Sequence, residues 1–92
     1  MDEKIIEAVE ILKVLSHKER LKILCFIWNE NKNVSDIVEH LWISQSQTSQ
    51  FLIKMKDMKL IENNKLWTQN FYKVSDEKVL KIIESLRWIY CN

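Results

Sequence analysis

Glycine and proline are both absent from this 92-residue chain. Every turn must therefore be made without the residue that most readily adopts positive φ and without the one that pre-sets φ near about −65°. Turns fall to Asn, Asp, Ser and Lys, and element boundaries are soft. Caps mark them instead. Ser16 with Glu19 three residues on reads as a capping box opening a second helix, and Asn33 with Asp36 opens a short third one through Ile37, Val38 and Leu41. Ser44 with Gln47 opens a fourth, "SQSQTSQFLIKMKDMK", in which Phe51, Leu52 and Met55 face inward. Ser75, with Asp76 and Glu77 in the positive first turn, opens the last helix, which continues to Tyr90.

Between the fourth and last helices the period changes. Leu60 to Lys65 and Gln69 to Val74 are rich in β-formers and predict a hairpin. Asn63-Asn64 is the best local turn signal, while a loop around Leu66 to Thr68 gives better-matched strands. The expected fold is mainly α with a small β-hairpin, a single domain over residues 1–92.

With 47% hydrophobic and 29% charged residues, this is the composition of an ordinary globular domain. At this length roughly a third of the unfolded chain's surface stays exposed after folding. The apolar residues of the first helix, Ile5, Ile6, Val9, Ile11, Leu12, Val14 and Leu15, run around almost its whole circumference. Those of the last helix, Val79, Leu80, Ile82, Ile83, Leu86, Ile89 and Tyr90, cover about half of it, with Trp88 opposite. Both faces exceed what one core needs, and a symmetric homodimer built from the first and last helices is the economical expectation.

A net charge of +1 excludes a basic arm that grips nucleic acid by charge alone. No stretch has the length of a transmembrane span and the start is acidic, so no membrane partner is expected and the expected compartment is the cytoplasm, where two cysteines are reduced at rest. An enzyme is not indicated: there is no Gly-rich phosphate loop, metal cluster or assured Cys-His pair.

"VSDIVEHLWISQSQTSQFLIKM" carries the chemistry: a short helix, a tight turn, and a helix whose exposed first turns are almost all Ser, Gln and Thr. In a helix-turn-helix the second helix enters the major groove of duplex DNA N-terminus first. There Gln45, Gln47 and Gln50 are candidate base readers, while Ser44, Ser46 and Ser49 are candidate phosphate ligands. Lys54 suits the backbone, and the hairpin has the place of a wing offering Lys65, Gln69 and Asn70. Taken alone, a Ser/Gln-rich turn reads better as a solvated helix surface, and it is the hairpin beside it that raises the DNA-binding reading.

"LKVLSHKERLKILCFI", "SQSQTSQFLIKMKDMKLIE" and "FYKVSDEKVLKII" resemble the ArsR/SmtB family of dimeric winged-helix repressors over essentially the whole chain. The resemblance implies a homodimer binding an imperfectly palindromic operator. It also marks departures: Trp42 and Lys59 stand where members usually have Gly, and the wing is poor in Arg. Family metal sites find no ligands. Val34, Ser35 and Asp36 supply no cysteine pair in the third helix. Asp76 matches a second pattern, but Lys78, Ile89 and Asn92 replace its later ligands. No metal or other cofactor is expected, and His17 and His40 read as structural or solvated.

Cys25 in "ILCF" and Cys91 in "IYCN" are similarly placed to the cysteine pair of the BigR/SqrR branch, which senses persulfides and polysulfides. That resemblance implies a reversible thiol switch, the fraying last turn delivering Cys91 to Cys25. Two alternatives stay open. Cys25 is otherwise a small core hydrophobe with Cys91 a stray thiol, and the chain is otherwise a non-sensing DNA-binding or protein-interaction module.

Overall fold

The computed structural model describes residues 2–91. Five helices and three strands form among them: α1 (Asp2–Leu15), α2 (Lys18–Ile27), β1 (Lys32–Asn33), α3 (Val34–Leu41), α4 (Gln45–Asp57), β2 (Ile61–Leu66), β3 (Gln69–Val74) and α5 (Glu77–Tyr90). The core is the meeting of inward faces from α2 to α5. Ile23, Leu24 and Ile27 of α2 pack with Ile37 of α3, Leu52 and Met55 of α4, and Val79 and Ile83 of α5. Leu60, Ile61 and Val74 close it at the base of the hairpin. Helix α1 buries only Val14 and Leu15, its last turn.

Two caps sit where the sequence places them. Asn33 Oδ1 accepts from Asp36 N at 2.8 Å, and Asp36 Oδ2 accepts from Asn33 N at 3.2 Å, a complete capping box. Ser44 Oγ accepts from Gln47 N at 3.1 Å. Two others are shifted by one residue. His17, not Ser16, caps α2, its Nδ1 accepting from Glu19 N at 3.2 Å, while Ser16 Oγ donates back to Lys13 O and closes α1. Asp76, not Ser75, caps α5, accepting from Val79 N at 2.9 Å. Ser75 N and Asp76 N both donate to Leu60 O, so Ser75 still belongs to the base of the hairpin.

The hairpin turns at Trp67-Thr68, with Leu66 opposite Gln69 and Ile61 opposite Val74. Asn63 and Asn64 lie in mid-strand, opposite Tyr72 and Phe71. Strand β1 adds a third member that sequence reading missed, pairing Lys32 with Tyr72 and Asn33 with Phe71 in the order β1-β3-β2.

The missing glycines leave a visible mark. Trp42 (φ 59°), Lys59 (φ 63°) and Trp67 (φ 61°) adopt left-handed backbone with a Cβ in place. Each marks a stop. Trp42 ends α3 with its N–H on Val38 O, Lys59 follows α4 with its N–H on Lys56 O, and Trp67 is the first of the two turn residues of the hairpin. Left-handed geometry costs a non-glycine residue about 1–2 kcal/mol.

Candidate nucleic-acid interface and thiol pair

Ile43 anchors the turn between α3 and α4 in the core at 4% exposure, while Trp42 beside it is 93% exposed. Buried Thr48, Leu52 and Met55 then fix the rotation of α4. Ser44, Gln45, Ser46, Gln47, Gln50 and Lys54 are exposed, with Ser49 half-buried. No carboxylate stands in the first turn of α4. A helix N-terminus edged by hydroxyls and amides, with no anion to repel phosphate, suits the backbone of a nucleic acid. The Ser44 oxygen already accepts the capping bond, which leaves its O–H to donate outward.

In the wing, Lys65, Gln69 and Asn70 are all exposed. The two amides are partly engaged within the sheet. Gln69 Oε1 accepts from Asn33 Nδ2 at 3.0 Å, and Asn70 Oδ1 accepts from Asn63 Nδ2 at 2.9 Å. Asn33 thus caps α3 with one side-chain atom and steadies the start of β3 with the other. Sequence reading missed Trp67, which projects from the wing tip at 95% exposure beside Leu66 at 59%. Its signal was an indole in the turn position that positive φ reserves for Gly or Asn.

The two cysteines are free, Cys25 half-buried on α2 and Cys91 exposed at the C-cap of α5. Burial pushes the Cys25 thiol above its ordinary pKa, the nearby Cys91 pushes it further, and the Arg87 guanidinium pulls it back. Arg87 was not anticipated. From the last turn of α5 its Nη1 donates to Cys25 O at 2.9 Å, and its guanidinium lies 4.9 Å from the centre of the Trp28 ring. The two histidines serve packing: His17 caps α2 and leans on Phe51 at 5.0 Å, and His40 stacks on Phe26 at 4.3 Å. Among the described residues no group of three His, Cys, Asp or Glu side chains could hold a metal ion. Among the described residues no helix is long and apolar enough to cross a membrane.

A short helix, a tight turn, a second helix with a polar exposed N-terminal face, and a hairpin beside it define a winged helix-turn-helix protein. The comparisons then name the family. Residues 17–63 match the family described as "Bacterial regulatory protein, arsR family", and this chain belongs to that family of transcriptional regulators. It is 32% identical over 92 residues to the transcriptional activator HlyU of Vibrio cholerae, covering all of this chain and 85% of the relative. It is 33% identical over 86 residues to the regulator YgaV of Escherichia coli, covering 92% and 87%. The solved HlyU structure superposes with a TM-score of 0.94 over all of both chains. That of the repressor BigR from Xylella fastidiosa, 26% identical, gives 0.88 over all of this chain and 94% of the other.

Proposed function

We propose that the protein is a homodimeric repressor that grips an imperfect palindrome through α4 and the wing and lets go when Cys25 and Cys91 are joined. A two-fold dimer presents two α4 helices to successive major grooves about 34 Å apart. Gln45, Gln47 and Gln50 read base edges, and Ser44, Ser46, Ser49, Lys54, Lys65, Gln69 and Asn70 hold backbone or groove walls. Repression follows from occupying the operator. Among the relatives, HlyU is named an activator and the biofilm growth-associated protein of Xylella fastidiosa a repressor.

One observation carries the thiol switch: two free thiols, one on a core helix and one on the last helix, border neighbouring cavities that share Trp28 and Arg87, close enough for Cys91 to act on the Cys25 thiol. A bridge would tie α2, next to the reading unit, to α5, whose outer face is free to pair, and a small rotation there would change the spacing of the two α4 helices. One of the similar solved structures is of reduced HlyU, with a TM-score of 0.95. The burial of Cys25 favours a second reading, in which that thiol is inert packing.

Gel retardation of the chain's own upstream DNA, with reduced and with polysulfide-treated protein, separates the two. Wild type should shift DNA only when reduced, and Cys25→Ser and Cys91→Ser should each shift it under both conditions. Release surviving in either variant would mean the paired-thiol mechanism is wrong, and wild type that stays on DNA after polysulfide treatment would favour the second reading. Lys65→Ala should weaken binding to every sequence and flatten the salt dependence, whereas Gln47→Ala should relax base preference.

A further inference from the structure

Arg87 is a half-buried guanidinium with no carboxylate partner among the described residues. Its recorded polar contact is a backbone carbonyl, that of Cys25, and its flat face is covered by Trp28. It borders two neighbouring cavities. One, of about 400 Å³, is lined by Cys25, Trp28, Lys32, His40 and Arg87 among others. The other, of about 260 Å³, is lined by Trp28, Glu84, Arg87, Trp88 and Cys91. In the first cavity, which Cys25 lines, Glu30 pairs with Lys32 at 3.1 Å, and Arg87 is left without an ion-pair partner among the described residues. A cation fixed by a carbonyl and an indole keeps its remaining N–H groups pointed at whatever enters, and it attracts anions without needing to move.

We propose that this first cavity, the one lined by Cys25, is a docking site for a small anionic sulfur donor, a disulfide or polysulfide bearing negative charge, which Arg87 holds against the Cys25 thiol. The inference rests on the thiol-switch reading and names its ligand class and the order of attack. The Cys25 thiolate attacks one sulfur of the donor's S–S bond. A Cys25–donor S–S bond forms from its electron pair, the donor's own S–S bond breaks, and the departing half leaves as a thiolate beside Arg87. The Cys91 thiolate then attacks the Cys25 sulfur, the protein disulfide forms, and the second donor half leaves as a thiolate. Both thiol protons pass to water, two cysteines are oxidised, and one donor disulfide is reduced to two thiolates. The tie between α2 and α5 changes from an arginine–carbonyl bond to a covalent one.

The test reads the charge preference of Cys25 without DNA. In a Cys91→Ser background, the rate with dithiobis-nitrobenzoate, a dianionic disulfide, is compared with the rate with neutral dithiodipyridine, so that any change in accessibility appears in both. Adding Arg87→Gln should lower the anionic-to-neutral ratio about tenfold, Arg87→Lys should keep most of it, and salt should shrink it only where a cation is present. A ratio unchanged by Arg87→Gln, or one lost equally in Arg87→Lys, would overturn the proposal. Whether bridge closure releases DNA is read separately by gel retardation, so failure of the docking site and failure of the switch are told apart.

Discussion

Lys59 and Trp67 meet the same backbone demand for different ends. Both hold positive φ with a Cβ in place, at a cost of about 1–2 kcal/mol each. Lys59 stands after α4 on the way into the wing, while Trp67 stands at the wing tip almost wholly exposed. Strain at an exposed aromatic is what a contact surface retains and a mere turn does not. Gly at either position removes the Cβ clash but makes the unfolded chain more flexible, which offsets part of the gain. Lys59→Gly should therefore raise stability by about 0.5–1 kcal/mol, a Tm increase of a few degrees at fixed protein concentration, with DNA affinity nearly unchanged. Trp67→Gly should raise Tm similarly yet weaken duplex binding at least about fivefold, because it removes the indole. A Trp67→Gly protein that melts higher and binds DNA as well as wild type would deny the wing tip any part in binding.

Among the elements, those legible in sequence were the ones with local causes. The helices α2 to α5 follow from apolar periodicity and side-chain caps, and the inward set Leu52 and Met55 follows from spacing alone. Cap assignment slipped by one where two capping residues adjoin, as at Ser75-Asp76, because either side chain could serve and only the bond from Val79 N to Asp76 Oδ1 decides between them. Asp76→Ala should cost about 1 kcal/mol in a urea titration, and Ser75→Ala should stay within about 0.5 kcal/mol. The reverse order would restore Ser75 as the cap. Strand β1 was illegible because two residues have no period, and the hairpin turn was ambiguous because Trp67 takes the place of a turn-former. In the candidate site, the exposed polar residues of α4 and the two cysteines could be picked out as candidates from composition and resemblance. Arg87 could not, since its bond to Cys25 O spans 62 positions and ends on a backbone atom that no side-chain pattern encodes.

For the molecule as a whole, the unresolved account is one of apolar surface. In the single chain Ile5, Ile6, Val9 and Leu12 of α1 are 42–62% exposed, and Ile89 and Tyr90 of α5 are 65% and 78% exposed. An apolar groove of about 350 Å³ runs between the two helices, lined by Ala8, Ile11, Leu12 and Ile82, with the Lys78–Glu7 ion pair at 2.8 Å. That pair is too exposed to contribute much to stability, so the groove needs apolar cover. A second copy placing its own α1 and α5 there satisfies the requirement symmetrically, and a stable interface needs only about 800 Å² from each side. Leu12→Glu tests the arrangement cleanly. The side chain is 55% exposed in the monomer and Glu is a good helix former, so the isolated fold should lose little. In a dimer, by contrast, an unpaired carboxylate would enter an apolar contact. The variant should sediment as a monomer at micromolar concentration while wild type sediments as a dimer. Its Tm should no longer rise with protein concentration, and its operator affinity should fall by orders of magnitude because two linked half-site contacts become independent ones. A wild-type chain that sediments as a monomer would remove the two-fold geometry on which the palindromic reading depends.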